Sequence, residues 1–294
     1  MSAAFTQISP TVWALQSRSM AYNSGVILDG EHACLIDPGP HPDEVEQALL
    51  FVAKRGAQID SVVLTHSHWD HILGPERMRP ELIVTTNAFT RVTKRDRAMI
   101  LKMIERWEGR FEYQRQKPFF IPRPDATFDD SIELEIGNLH LQLMEIPGHA
   151  EDQLAIYDPS TATLWAADTL SDIEIPYVMY SLSAYERSLA RLAGLEIAAL
   201  VPGHGNPTSD SADIAARIAF DRAYLAELRT RVGAALAEGL DVTATVERCA
   251  DMDIHDVASN RGGHRLNVES AYIELGGAAD RDLVGWSRKD LFDE

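Results

Sequence analysis

The sequence predicts an α/β protein in which two β-sheets pack face to face and helices cover their outer sides. Short apolar runs rich in β-branched residues recur along the chain, and a turn signal closes each run. Both halves of the chain also follow the same plan, a strand-rich part and then helices. With 294 residues, 45% of them hydrophobic, the chain is long enough to enclose a sizeable core.

The first strand-rich part is predicted to be a meander that leads into a strand–helix–strand unit. Strands are expected at residues 12–15, 24–28 and 33–36, and the Asp29-Gly30 turn predicts a hairpin between the last two. Residues 42–55 have a helical apolar period with acidic residues in the first turn, and Gly56 ends the segment. Residues 61–64 form the next predicted strand.

A long, charge-rich helical stretch is predicted at residues 89–116. Its apolar stripe either faces the core or covers a pocket as a lid, which Phe119 and Phe120 would continue. The stripe comprises Met99, Ile100, Met103, Ile104 and Trp107. We expect a helical lid insertion at about residues 89–117.

The second half repeats the plan. Residues 132–136 and 139–143 alternate strictly around Gly137-Asn138, which predicts a second hairpin. Further strands are expected at residues 154–157, 163–166 and 198–201, with a helix at 184–192. Helix signals continue from residue 210 to 239 and are followed by a mixed tail.

The acidic composition limits the partners of the protein. A formal charge of -18 disfavours long nucleic acid and anionic membrane surfaces, because both are polyanions. The first residues lack the features of a signal peptide, and no apolar run has the length of a membrane span. Cys34 and Cys249 are isolated, which excludes a disulfide framework and a cysteine metal cluster. We therefore expect a cytoplasmic protein, and a homodimer is left open.

The strongest local signal is a run of histidines and aspartate directly after the strand predicted at 61–64. In an extended or turning segment His66 and His68 point to the same side and can reach one ion, whereas Asp70 and His71 can reach a second. Imidazole and carboxylate ligands without a thiolate suit a catalytic zinc site, which keeps one position open. Without a cation, groups packed so closely would repel one another or stay unsatisfied.

Three more ligand candidates follow predicted strands. His149 stands in Ile146-Pro147-Gly148-His149, Asp168 ends a segment that begins at Leu164, and His204 stands in Pro202-Gly203-His204-Gly205. In each case a glycine or another small residue lets the backbone turn closely. The order of these segments and their places at strand ends indicate one shared metal site.

With these motifs the sequence resembles the metallo-β-lactamase-fold hydrolase superfamily over residues 12–207. Asp37 matches the first motif, the 66–71 run the second, and His149, Asp168 and His204 the remaining three. The resemblance implies a four-layer αββα sandwich of two mixed sheets. It also implies a single domain over residues 1–294, with a catalytic sandwich at about 10–210 and a mostly helical extension at about 210–294.

The resemblance further implies two metal sites. His66, His68 and His149 would hold one ion, Asp70, His71 and His204 the other, and Asp168 would bridge them. Asp37 would hold the motif loop without being a ligand. Two departures, Ile72-Leu73-Gly74 after the second motif and Ala167 before Asp168, argue against a typical hydroxyacylglutathione thioester hydrolase.

The expected chemistry is hydrolysis that depends on two divalent metal ions, with Zn²⁺ favoured and iron or manganese as alternatives. A hydroxide bridging the ions would attack an ester-like bond of a small molecule, and Asp70 would accept or relay the proton. A lactone, thioester or carboxylic ester is favoured over an amide such as a β-lactam. The alternatives are a phosphodiesterase or endoribonuclease, an iron-dependent oxygenase, and a ligand sensor with little turnover.

Substrate contacts are expected from residues that the motifs do not fix. Trp69 forms either part of the pocket wall or packing under the metal loop. Tyr177, Met179 and Tyr180 follow the Asp168 loop, and a tyrosine hydroxyl there could donate to the developing oxyanion. His264 lies in a segment predicted as a helix start whose basic residues could contact an anion. His32, His41 and His140 are expected at the surface.

Overall fold

Two mixed β-sheets form the centre of the molecule in the computed structural model, which describes residues 4–78, 80–111 and 117–289. The first sheet keeps its strands in chain order; neighbours are antiparallel up to the fourth strand and parallel from there on. Its strands are β1 (Phe5–Gln7), β2 (Val12–Gln16), β3 (Asn23–Asp29), β4 (His32–Ile36), β5 (Gln58–Val63), β6 (Ile83–Thr86) and β7 (Ala126–Phe128).

The second sheet has the order β12-β11-β10-β9-β8. Only the pair β11–β12 is parallel; the other neighbours are antiparallel. Its strands are β8 (Ser131–Ile136), β9 (Leu139–Glu145), β10 (Leu154–Asp158), β11 (Thr163–Trp165) and β12 (Ala199–Val201). Both predicted hairpins are present, at Asp29–His32 and at Ile136–Leu139.

Helices cover the outer face of each sheet. The first sheet packs against α1 (Pro42–Ala53), α2 (Asn87–Arg95) and α3 (Arg97–Arg110), and the second against α4 (Leu182–Leu192), α5 (Ser211–Ala237), α6 (Val242–Cys249) and α7 (Val257–Glu274). Side-chain oxygens of Thr86, Ser181, Asp210 and Asp241 accept backbone N–H groups at the starts of α2, α4, α5 and α6. Among the described residues, no helix has both the length and the apolarity to cross a membrane.

The core is divided into three apolar layers, as a four-layer sandwich requires. The middle layer lies between the sheets, and Ile36, Val63, Leu141 and Ile156 contribute to it from both sides. The sheets approach so closely that a Cβ added at Gly25 would lie 2.7 Å from the ring of Trp165. Each outer layer joins one sheet to its helices. The predicted fold class is therefore confirmed.

Several local predictions were wrong or incomplete. The helical stretch at 89–116 is two helices that meet at Asp96, and residues 112–116 lie outside the described residues. Strands β1, β6 and β7 were missed. His41 was expected at the surface, but it is buried beside Trp107 and its Nε2 lies 2.8 Å from Ser19 Oγ.

The C-terminal part is more than a peripheral tail. Val268, Ala271 and Tyr272 of α7 belong to the same apolar layer as Tyr185 of α4 and Leu200 of β12. The tail therefore packs directly on the second sheet's helical layer.

Candidate metal centre

All predicted ligands meet at one edge of the sandwich. The 66–71 run follows β5, His149 follows β9, Asp168 follows β11, and His204 follows β12. Their side chains form two adjacent groups in which the possible ligand atoms lie within 4.8 Å of one another. The first group is His66, His68, His149 and Asp168, and the second is Asp70, His71 and His204.

In the first group, three imidazole nitrogens converge. His68 Nδ1 lies 3.0 Å from His66 Nε2 and 2.9 Å from His149 Nε2. Asp168 Oδ2 completes the group, 3.6 Å from His66 Nε2 and 3.3 Å from His149 Nε2. Imidazole nitrogens and a carboxylate oxygen without a thiolate can hold a divalent metal ion.

The second group shares Asp168 with the first. His204 Nε2 lies 3.2 Å from Asp70 Oδ2, and His71 Nε2 lies 3.7 Å from the same oxygen. The other carboxylate oxygen of Asp168, Oδ1, lies 3.3 Å from His71 Nε2. Asp168 Oδ2, which approaches the first group, also lies 3.7 Å from His204 Nε2. The carboxylate of Asp168 thus lies between the two groups.

Contacts outside the groups orient the imidazoles. The Nδ1 atoms of His149 and His204 lie 3.1 Å from the backbone oxygens of Tyr177 and Met20. A carbonyl oxygen can only accept, so Nδ1 carries the proton in both rings and donates it there. His71 Nδ1 lies 2.9 Å from Asp37 Oδ2 in the same way. In the neutral form of each ring Nε2 is then the acceptor, and it lies among the possible ligand atoms.

Asp37 holds the loop that carries the histidine run. Its Oδ1 accepts the backbone N–H of Thr65 at 2.7 Å, and its Oδ2 accepts the Thr65 hydroxyl as well as His71. Burial raises the pKa of Asp37, although His71 and Thr65 oppose that shift. Asp37 itself has a φ of +41°, in the left-handed region. It faces Thr65 and His71 and lies outside both groups of ligand atoms.

Tyr22 is a site residue that the sequence analysis missed. It is fully buried, and its ring lies edge-on to His71 and His204 with centroids 5.0 and 5.4 Å apart. Its hydroxyl donates to the backbone oxygen of Asp37 at 2.7 Å. The position precedes β3 and has no motif around it, so no sequence signal marked it.

The carboxylates of the site favour positive charge. Burial lowers the pKa of His68 to about 3 and holds that of His66 well below its usual value. Burial acts in the same direction on His71 and His204, but Asp168 and the neighbouring carboxylates outweigh it. They raise the pKa of His204 to about 10 and that of His71 well above its usual value. The groups therefore attract cations into a buried site.

Unsatisfied polar atoms fit the same conclusion. His71 Nε2 and Asp168 Oδ1 are buried and make no hydrogen bond. Buried polar atoms without a partner are costly, and a cation bound between them would supply one. The residue types, the converging atoms and these two unpaired atoms together fit divalent metal ions.

Small residues allow the loops to approach one another. A Cβ added at Gly203 would lie 2.1 Å from Asp168 Oδ1, and one at Gly74 would lie 1.8 Å from the backbone oxygen of Pro38. Ala167, before Asp168, has a φ of +48°. A positive φ explains why glycine is common at this position, and alanine is the smallest side chain that can replace it.

The predicted substrate contacts fall into two sets. Met179 and the exposed Tyr180 line a cavity of about 520 Å³ together with His68 and His149. The Tyr177 hydroxyl instead donates to Asn260 Oδ1 at 2.9 Å, so it is engaged away from an oxyanion. Trp69 packs on Trp107, with ring centroids 4.6 Å apart, and lies outside the lining of this cavity.

His264 does not contact the cavity. It is buried, with Nδ1 2.9 Å from the Tyr224 hydroxyl and Nε2 2.9 Å from the Cys249 backbone oxygen. The segment 261–267 lies inside α7 rather than at a helix start, and packing against α5 and α6 turns this histidine inward. The structure thus places His264 outside the cavity in which it was expected as a substrate contact.

Comparison with known proteins agrees with this geometry. The chain is 26% identical over 185 residues to a beta-lactamase-like protein 2 homolog of Caenorhabditis elegans, which covers 62% of this chain and 55% of that protein. It is 25% identical over 158 residues to a hydroxyacylglutathione hydrolase of Francisella tularensis, covering 54% and 50%. The chain spans about half the length of these curated relatives.

Solved structures show the same fold. The stereoselective inverting sec-alkylsulfatase Pisa1 from Pseudomonas sp. superposes with a TM-score of 0.72 at 16% identity, covering 94% of this chain and 51% of that one. A metallo-beta-lactamase from Pontibacter korlensis gives a TM-score of 0.59 at 19% identity, covering 75% and 99%.

The family follows from a match over most of the sandwich. The sequence profile described as "Metallo-beta-lactamase superfamily" matches residues 20–204, which include every predicted ligand. The resemblance inferred from the ordered motifs is confirmed, and the chain belongs to the metallo-beta-lactamase superfamily.

Proposed function

We propose that the protein is a hydrolase that uses two divalent metal ions, with zinc favoured, to cleave an ester-like bond of a small molecule. The observation that carries this proposal is the position of Asp168, whose carboxylate lies 3.3 Å from His149 Nε2 in one group of candidate ligands and 3.3 Å from His71 Nε2 in the other. A shared carboxylate of this kind supports a dinuclear centre rather than a single structural ion.

The residues have distinct tasks in this proposal. His66, His68 and His149 would hold one ion, Asp70, His71 and His204 the other, and Asp168 both. When bound, the ions would supply an activated water for attack and polarise the oxygen of the scissile bond. Asp70 would accept a proton from that water, and its Oδ2 lies 3.2 Å from His204 Nε2 in the second group.

A small-molecule substrate fits the space beside the ligands. The cavity that His68 and His149 line has a volume of about 520 Å³, within the usual range for small-molecule sites. The relatives named as a hydroxyacylglutathione hydrolase and a sec-alkylsulfatase act, by those names, on ester-type bonds. Ala167 and the Ile72-Leu73 step still set this chain apart from typical hydroxyacylglutathione hydrolases.

Metal analysis of the purified protein is the first test. Two zinc ions per chain, removed together with activity by a chelator and restored with it, support the proposal. One iron per chain would favour an oxygenase, and protein that takes up no metal would favour a sensor. A panel of lactone, thioester, carboxylic ester, β-lactam and phosphodiester substrates would then identify the bond. Cleavage of the phosphodiester alone would replace the proposal with the nuclease alternative.

The role of Asp70 is tested by Asp70→Asn. The amide keeps the size of the side chain but is not a general base, so kcat is expected to fall strongly while the fold is retained. Circular dichroism and zinc content separate loss of the base from loss of the ion. A kcat equal to wild type would remove Asp70 from the mechanism.

A further inference from the structure

The cavity beside His68 and His149 is built from parts of the chain that lie far apart in sequence. Val92, Met99 and Ile100 of the α2–α3 pair give it an apolar wall, and Met179 continues that wall. Arg281, Trp286 and Ser287, which follow α7, line it as well. The C-terminal segment therefore reaches the space in which a substrate of the metal centre would lie.

Two arginines line this cavity, and one of them is fully engaged. Arg95 donates to both oxygens of Asp96 and, through Nη1, to Glu151 Oε2 at 2.7 Å. Asp96 and Glu151 line the same cavity, and Arg91 Nη2 also lies 3.7 Å from Glu151 Oε1, so two arginines balance these two carboxylates. The other acidic residue of the lining, Asp152, is 1% exposed and lies beneath the surface.

Arg281 is in a different position. It is exposed, it lies in the turn that follows α7, and it forms no ion pair with a carboxylate of residues 4–78, 80–111 or 117–289. The neighbouring Asp282 is paired instead with Lys289, 2.5 Å away. The donors of the Arg281 guanidinium are thus available to a ligand in the cavity.

The segment that carries Arg281 is anchored to α7. Trp286 Nε1 donates to Asn267 Oδ1 at 3.0 Å, and its ring lies 5.3 Å from that of Tyr177. The Gly285 N–H donates to Glu269 Oε2 at 2.6 Å. Gly285 has a φ of +63°, and a Cβ there would lie 2.5 Å from Ser270 Oγ. The turn is therefore held at a fixed place beside the cavity.

We propose that Arg281 binds a carboxylate of the substrate, so that the enzyme acts on esters that carry a second, negatively charged group. The guanidinium suits this task because its planar donors match a carboxylate with two parallel hydrogen bonds. The apolar wall would contact the chain between the carboxylate and the scissile bond. This inference rests on the proposed hydrolase function and narrows its substrate class.

The test compares two 4-nitrophenyl esters of equal acyl length, the glutarate half ester and the pentanoate. Each turnover consumes one water, breaks the acyl C–O bond, and yields 4-nitrophenol and the free acid. Zinc-loaded wild type is expected to prefer the half ester in kcat/KM. Arg281→Gln should lower that preference about tenfold or more, mainly through KM, because a charge-assisted hydrogen bond is lost. Arg281→Lys should restore part of it.

The matched control is Arg222→Gln, which removes one positive charge from an exposed position of α5 outside the cavity lining. It should keep the wild-type preference. Unchanged preference in Arg281→Gln, or an equal fall in the control, would overturn the role of Arg281.

A binding measurement separates this inference from the proposed function. Calorimetric titration of zinc-loaded protein with glutarate should show binding that weakens about tenfold or more in Arg281→Gln. If wild type cleaves neither ester but binds glutarate through Arg281, the hydrolase proposal fails and the carboxylate site stands. If both esters are cleaved and Arg281→Gln binds glutarate as tightly as wild type does, the hydrolase proposal stands and this inference fails.

Discussion

The ligand-bearing loops and the C-terminal helices serve the same site in different ways. The loops that directly follow β5, β9, β11 and β12 supply all seven predicted ligands. Helix α7 supplies no candidate ligand, yet its side chains hold the segment 175–178, whose Tyr177 oxygen orients His149. The comparison shows that the residues that would bind metal and those that fix their geometry come from separate parts of the chain.

Asparagine side chains of α7 hold residues 175–178 through several hydrogen bonds. Asn267 accepts the Val178 N–H at 2.8 Å and donates to the Pro176 oxygen at 2.7 Å. Asn260 accepts from the Ile175 N–H and from the Tyr177 hydroxyl. Both asparagines are buried, so their hydrogen bonds lie away from competing water.

The largest expected effect is loss of a ligand from the loops. His66→Ala and His149→Ala each remove one of three converging nitrogens, so zinc content should fall by at least one ion per chain and turnover to background. Metal analysis and ester hydrolysis measure both. His32→Ala is the control, because this exposed histidine pairs with Asp60 at the surface. Wild-type turnover in either ligand variant would contradict the dinuclear assignment.

A smaller effect is expected at Asp37, which follows β4 and contacts the predicted ligand His71. Asp37→Asn weakens the acceptor for His71 Nδ1, and loss of such a supporting contact typically costs about 10–100-fold in metal affinity or activity. Competition with a zinc chelator measures the affinity. Asp60→Asn is matched, since Asp60 also accepts from a histidine, His32, but on the exposed surface. Equal zinc affinity in Asp37→Asn and wild type would show that Asp37 does not support the site.

The loops were predictable from sequence for a physical reason. Metal coordination demands particular residue types, and the sheet brings the ends of its strands together, so order and spacing were enough for His66 through His204. The hairpins and the amphipathic α1 followed equally from local patterns. The missed β6 had a usable signal in its β-branched run Ile83-Val84-Thr85-Thr86, whereas β1 and β7 are only three residues long.

The support of the site was not predictable in this way. Asn260, Asn267 and Tyr22 act through backbone groups of residues distant in sequence, and no residue type is specific to that task. His264 shows the converse error, because a titratable residue in a basic segment is turned into the core by helix packing. The role of such a supporting residue depends on its tertiary contacts, and these cannot be predicted from the local sequence.

Asn267 in α7 is expected to support the metal centre through the segment 175–178. Asn267→Ala leaves the Val178 N–H and the Pro176 oxygen without partners, which should lower the free energy of unfolding by about 1–3 kcal/mol. Zinc affinity should fall too, because the segment that orients His149 loosens. Denaturant unfolding and chelator competition measure the two effects. Asn138→Ala, at the exposed β8–β9 turn, is the control. Lower stability with unchanged zinc affinity would limit α7 to a structural role.

The last effect depends on pH and lies in α5, beside the loop that follows Asp168. Asp221 accepts the Leu170 N–H at 3.1 Å, while its Oδ1 is buried without a partner. Burial raises the pKa of Asp221 to about 8 from an ordinary value of 3.8. The folded state therefore keeps a proton that the unfolded chain releases, and stability contributed by this group is full below pH 3.8 and is lost as pH rises toward 8.

Asp221→Asn removes that loss, because an amide does not titrate. The variant should melt about as wild type does near pH 4 and at a higher temperature at pH 8, where only the wild-type side chain has lost its contribution. Thermal melts across this pH range measure the difference. Asp253→Asn, at an exposed position of the same C-terminal part, should give a curve parallel to wild type. If Asp221→Asn also runs parallel, then Asp221 is ionised in the folded protein, and the C-terminal helices hold a buried charge beside the metal loop.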